Sequence, residues 1–212
     1  MLVRSITLVR QPWSVEMAEI LFFHHVQGLT DGVRAFADSL AADGHTVHVP
    51  DLFEGERPAS IDDGIALIKR IGSDTLERSA DRIAAGLPAD LVYAGISWGG
   101  SIAQRLAQTR PGARAALLYE ACLPVTGEWA IGPWPDGVAV QVHGMERDPF
   151  FGLEGDIDAA RELVSIVGPE RGELFVYPGD GHLFTDASLP SYDAEATALV
   201  VGRSRDLLGR LG

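Results

Sequence analysis

From Ile20 onward the chain alternates short apolar runs with amphipathic helical stretches, and that alternation admits few folds. The runs Ile20–His24, Thr46–Val49, Leu91–Gly95, Ala115–Tyr119, Val138–His143 and Leu174–Tyr177 have strand length. They are rich in Val, Leu, Phe and Tyr and flanked by Gly, Pro or Asp, as strands covered on both faces should be. Between them, Asp31–Asp43 carries Val33, Phe36, Ala37 and Leu40 at helical spacing and stops at Gly44. Further helices are predicted over Ile61–Ile71 and Thr75–Gly86, broken at Gly72, then over Gly99–Thr109, Ile157–Val167 and Asp193–Leu211. Strand followed by helix, repeated, predicts an α/β fold with a mostly parallel sheet and helices on both faces. Residues 17–212 form one domain in this reading, and a chain of 212 residues can bury one sizeable core. Residues 1–16, ahead of Met17 and the first strand, read as an N-terminal extension, either disordered or an added edge strand.

Composition narrows the function classes. A formal charge of −13 argues against a nucleic-acid binder, which needs a basic footprint, and against anionic membrane surfaces. The longest apolar runs fall far short of the roughly 20 residues a bilayer requires. The N-terminal stretch has no apolar core of signal-peptide length. One cysteine, Cys122, excludes an internal disulfide and a cysteine-based zinc cluster. Together these features predict a cytoplasmic protein.

In parallel α/β sheets reactive groups gather beyond the carboxyl ends of the strands. After the third strand stands Gly95-Ile96-Ser97-Trp98-Gly99-Gly100, with a helix following at once. This is G-x-S-x-G in strand–turn–helix context. The turn is sharp enough to hold Ser97 in a strained conformation, and Gly95 and Gly99 supply the room. The hydroxyl is thereby presented at a helix N-terminus, where exposed N–H groups favour negative charge. The bland alternative is a glycine-lined structural turn. Ser97 needs a base, usually His held by a carboxylate, and both should follow it in the chain, acid first. His182 lies in the glycine-rich loop after the last strand and is the predicted base. Asp148, after the fifth strand, is the leading acid, with Glu146 and Asp156 behind it. Asp180 is too close in sequence to orient His182.

These stretches resemble the dienelactone hydrolase family of the α/β-hydrolases. The matching segments are Phe22–Gly28, Gly44–Phe53, the Gly95–Gly100 elbow, Arg147-Asp148, Tyr177–Phe184 and Tyr192-Asp193-Ala194, so the resemblance spans roughly residues 18–210. It implies the α/β-hydrolase fold, a Ser97–Asp148–His182 triad, and an oxyanion hole from the backbone N–H groups of Val26 and Trp98. The implied activity is hydrolysis of a small-molecule carboxylic ester or lactone with no cofactor, by a monomer or homodimer. The alternatives are a thioesterase or acyltransferase on the same triad, or a ligand-binding relative without turnover. Many family members use cysteine at the elbow, with a glutamate after the first strand; those positions are Ser97 and His25 here. Where enzymes acting on dienelactone carry a substrate-binding arginine, this chain has Asp186. With the −13 charge, Asp186 is expected to repel anionic substrates and favour neutral ones.

Other residues receive weaker assignments. His24 and His25 are adjacent on a strand and face opposite sides, so no metal site is expected from them. His25, Cys122, Trp134 and Phe150 are candidate pocket residues, with a purely structural role as the alternative for His25. Trp129, Trp134 and Phe150-Phe151 are expected in loops at the active-site end, with core packing as the alternative. Cys122 has no elbow of its own and reads more readily as a buried thiol than as a nucleophile. Ile61–Ile71 is a candidate lid with Gly72 as hinge or simple helix stop.

Overall fold

The computed structural model describes residues 17–211, so the expected extension at residues 1–16 lies outside the described residues. Along the chain run β1 (Glu19–Phe23), α1 (Asp31–Leu40), β2 (Thr46–His48), α2 (Ile61–Ile71), α3 (Ser73–Ala85), β3 (Val92–Ile96), α4 (Trp98–Thr109), β4 (Ala115–Tyr119), β5 (Ala139–Met145), α5 (Asp156–Val167), β6 (Gly172–Tyr177) and α6 (Ala194–Arg210). Every predicted strand and helix is present. The one element that changes character is the first helix. It ends at Leu40 and tightens into a 3-10 turn over Ala41–Asp43 before Gly44, whose φ of 94° stops it.

The six strands pair in parallel in the order β2-β1-β3-β4-β5-β6. Alternate residues of each strand face opposite layers. Leu21, Phe23, Tyr93, Leu118 and Val140 pack with residues of α2 to α5, including Leu67, Leu76, Ile102 and Leu163. Ile20, Phe22, Val92, Ala94 and Leu117 pack with α1 and α6 through Val33, Phe36, Val200 and Leu208. Both faces of the sheet are thus closed, which is why the central strands read as unbroken apolar runs.

The order reverses direction between β1 and β3. In parallel α/β sheets such a switch point is where reactive groups gather beyond the carboxyl ends of the strands. The β1 loop and the Ser97 turn meet at that switch point.

The candidate lid is the connection from β2 to β3, and it is anchored. Leu67 of α2 is in the core, and a Cβ at Gly64 would overlap the backbone carbonyl of Val26. Gly72, at φ 94°, closes α2 by donating its N–H to Ile68 O and precedes α3, so it acts as a helix stop.

Candidate active site

Ser97 occupies the single residue between β3 and α4. Its backbone sits at φ 53°, ψ −120°, a conformation few side-chain-bearing residues adopt, and its N–H donates to Tyr119 O at 2.7 Å. The flanking glycines are required for separate reasons. A Cβ on Gly95 would overlap the Gly99 backbone, while one on Gly99 would strike the Phe23 carbonyl at the end of β1. The elbow is therefore pressed against β1 as well as folded on itself.

The Ser97 Oγ lies 2.8 Å from His182 Nε2, and His182 Nδ1 lies 2.7 Å from Asp148 Oδ2. The structure brings these three side chains into one hydrogen-bonded line from the ends of β3, β5 and β6. Asp148 is fully buried, and its second oxygen accepts the Phe150 and Phe151 N–H groups, which fixes the carboxylate. Burial alone would lower the His182 pKa. The Asp148 hydrogen bond and the charges of Glu120, Asp148 and Asp156 outweigh it, so the pKa is raised. The two other acids considered from sequence stand elsewhere: Glu146 pairs with Arg147 at the surface, and Asp156 accepts the Cys122 N–H at the start of α5.

Trp98 is the first residue of α4, so its N–H belongs to the helix turn that has no intrahelical acceptor. In the β1 loop the Gln27 N–H donates to His25 Nδ1 and the Gly28 N–H to His25 O, and Val26 precedes both. His24 braces this corner: its ring packs against Phe53 and Trp98, with Nδ1 donating to His25 O and Nε2 accepting the Leu52 N–H. Burial lowers its pKa to about 4, so the ring is neutral around pH 7.

Several expectations are corrected. His25 does not line a pocket; it is wholly buried, and its Nε2 donates to Asp186 Oδ2 at 2.8 Å. Asp186 does not confront a substrate. It is also wholly buried, accepting from His25, from Thr30 Oγ1 at 2.5 Å, and from the Ser188 N–H and hydroxyl. Burial would raise its pKa, but these donors hold it at about 2. A side chain at Gly32 would collide with this carboxylate, so the glycine opening α1 makes room for it. Trp134 precedes β5 at the amino end of the sheet, donating to Val138 O, and so lies away from the site, while Trp129 is 82% exposed. Cys122 is packed in the core, and burial together with Asp156 pushes its thiol pKa up. Phe150 does stand at the site, its ring 4.6 Å from that of His182.

Sequence reasoning missed Glu120. It follows β4 directly, the same kind of position that nominated the others, but the Ser-acid-His order gave no reason to seek a second acid. Its side chain is fully buried, its backbone is left-handed at φ 60°, and Oε2 lies 3.6 Å from His182 Nδ1. Glu120, Asp148 and His182 each bring one potential ligand atom within 4.8 Å of the others. The His182 ring, however, is engaged at both nitrogens by Ser97 and Asp148, an arrangement suited to proton transfer.

The model of the dienelactone hydrolase family matches residues 6–211. No curated protein matches the sequence. Similar solved structures include a dienelactone hydrolase-like promiscuous phosphotriesterase from metagenomic libraries, 19% identical with a TM-score of 0.72 over 94% of this chain and 88% of that one. Esterase 2 of Thermogutta terrifontis, phosphonylated by cyclosarin, is 17% identical with a TM-score of 0.61 over 95% and 86% of the two chains. A thioesterase domain from the curacin biosynthetic pathway is 15% identical with a TM-score of 0.59 over 90% and 92%. At these identities the likeness concerns the fold. No helix among the described residues is long and apolar enough to cross a membrane.

Proposed function

Given that this chain belongs to the dienelactone hydrolase family of α/β-hydrolases, we propose that it cleaves small carboxylic esters or lactones through an acyl-enzyme on Ser97. The observation that carries this reading is the unbroken line from Ser97 Oγ through His182 to the buried Asp148, at 2.8 and 2.7 Å. Ser97 attacks the carbonyl carbon while His182 Nε2 takes the hydroxyl proton. Asp148 keeps Nδ1 protonated and stabilises the resulting imidazolium. The Val26 and Trp98 amides receive the oxyanion, each such donor being worth about 3 kcal/mol in comparable sites. His182 then gives its proton to the leaving oxygen, and a water molecule, deprotonated by the same nitrogen, releases the acid.

The steps use protein groups and water alone. Neutral substrates are favoured because the −13 charge disfavours the approach of anions. A thioester would react by the same steps, and the fold shared with the curacin thioesterase domain keeps that class in the substrate panel. A binding protein without turnover has no use for a serine already bonded to its base.

Ser97→Ala is expected to abolish hydrolysis of a short nitrophenyl ester with the melting temperature unchanged, and a fluorophosphonate is expected to label Ser97 of the unaltered protein. Retained turnover in Ser97→Ala refutes the assignment. Parallel rates on nitrophenyl esters, lactones and coenzyme A thioesters then rank the substrate classes.

A further inference from the structure

His182 meets two carboxylates, and the serine reading uses one. Glu120 is held at the end of β4 by a left-handed backbone whose N–H donates to His143 O at 2.6 Å. Its two oxygens take the Leu183 N–H and, at 3.2 Å, the Thr185 hydroxyl. Both donors belong to the loop that carries His182, and Leu183 is itself left-handed at φ 63°. Strained backbone at Ser97, Glu120 and Leu183 thus converges on one imidazole. A carboxylate needed only to pin the loop has no reason to sit 3.6 Å from Nδ1, beside a second buried acid that repels it.

We propose that Glu120 is a second positioning carboxylate for His182, sharing with Asp148 the stabilisation of the imidazolium and partly replacing Asp148 when that acid is removed. The proposal rests on the Ser97–His182 reading above. With Asp148 Oδ2 at 2.7 Å and Glu120 Oε2 at 3.6 Å from the same Nδ1, the proton taken from Ser97 arrives on a ring that faces two acids. The charged or titratable groups facing this pair are Asp148 from the loop after β5 and Asp156 from the start of α5, while Leu183 and Thr185 present neutral donors. Burial and the Asp148 charge raise the Glu120 pKa, against the pull of His182 and the two donors, to about 7. Its charge therefore changes in the range where the enzyme would work.

The test measures kcat/KM against pH for the unaltered protein, Glu120→Gln, Asp148→Asn and the double variant, with Ser97→Ala as baseline. Glu120→Gln keeps the shape and a carbonyl acceptor but removes the charge. Removing a negative charge beside His182 lowers its pKa, so the acid limb is expected to move to lower pH. The loss in kcat/KM is expected to be roughly 10-fold alone and roughly 100-fold in the Asp148→Asn background, the mark of two groups that stand in for one another. An unmoved acid limb with equal losses in both backgrounds overturns the proposal and leaves Glu120 as a loop pin. Should Glu120→Gln fail to fold, Asp148→Asn decides alone. A loss of at most about 100-fold from the unaltered protein supports a second acid, against the roughly 10,000-fold loss expected of an unsupported imidazole; a loss of about 10,000-fold excludes it. Full activity in Ser97→Ala removes the serine reading and this proposal with it, an outcome distinct from all the others.

Discussion

Asp186 shows how far a residue's chemistry depends on what covers it. In sequence it occupies a place where its charge is expected to meet the substrate. In the structure it is the hub of a buried cluster, accepting from His25, Thr30 and Ser188. Since Thr30 also caps α1 and His25 holds the Gln27 amide, one carboxylate ties the His182 loop to the loop after β1. Asp186→Asn turns an amide donor toward groups that already donate. It is expected to cost about 3 kcal/mol in urea unfolding, as leaving buried donors without their charged acceptor does. The ratio of rates on anionic and neutral esters is expected to stay put; a selective gain on the anionic ester would show instead that Asp186 faces the substrate. Ser97, Asp148 and His182 were legible in the sequence because each sits in a recognisable loop in a known order. Glu120 and Asp186 were not, since whether a loop acid is buried depends on side chains remote in the chain.

At the scale of elements, the strands and helices were readable almost to their ends because both sheet faces are covered and apolar runs mark them without ambiguity. The sequence could not tell at which end of the sheet a long connection lies. The tryptophans between β4 and β5 looked like active-site residues, yet the segment travels back to the amino end, where Trp134 packs before β5. The segment α2 similarly lacked any mark of being anchored. Its fixed point is Gly64, whose missing side chain lets the helix backbone rest on the Val26 carbonyl. Gly64→Ala is expected to push the β1 loop away from the elbow. The predicted consequence is a stability loss of about 1–3 kcal/mol, by overpacking, and a fall in kcat exceeding any change in KM. Unchanged kcat with a normal melting temperature would show that the helix yields and the Val26 amide does not move.

For the whole molecule the relevant quantity is the field of thirty acidic side chains against seventeen basic ones. With Asp186 buried and paired, the expected discrimination against anionic substrates would rest on this distributed charge, which salt screens over about 10 Å at 0.1 M. For an anionic ester, kcat/KM is expected to rise about two- to fivefold between low and high ionic strength, while a neutral analogue stays flat. Equal salt responses would place the discrimination in local contacts. The buried position of Cys122 bears on a different matter, the conditions such a chain tolerates. Its thiol is kept protonated and out of reach, and the residue at the elbow is an alcohol. Peroxide attacks cysteine through an accessible thiolate. The first step of that oxidation has no foothold at the elbow or at the single sulfhydryl, so turnover by the proposed serine route is expected to survive peroxide that would silence a thiol nucleophile.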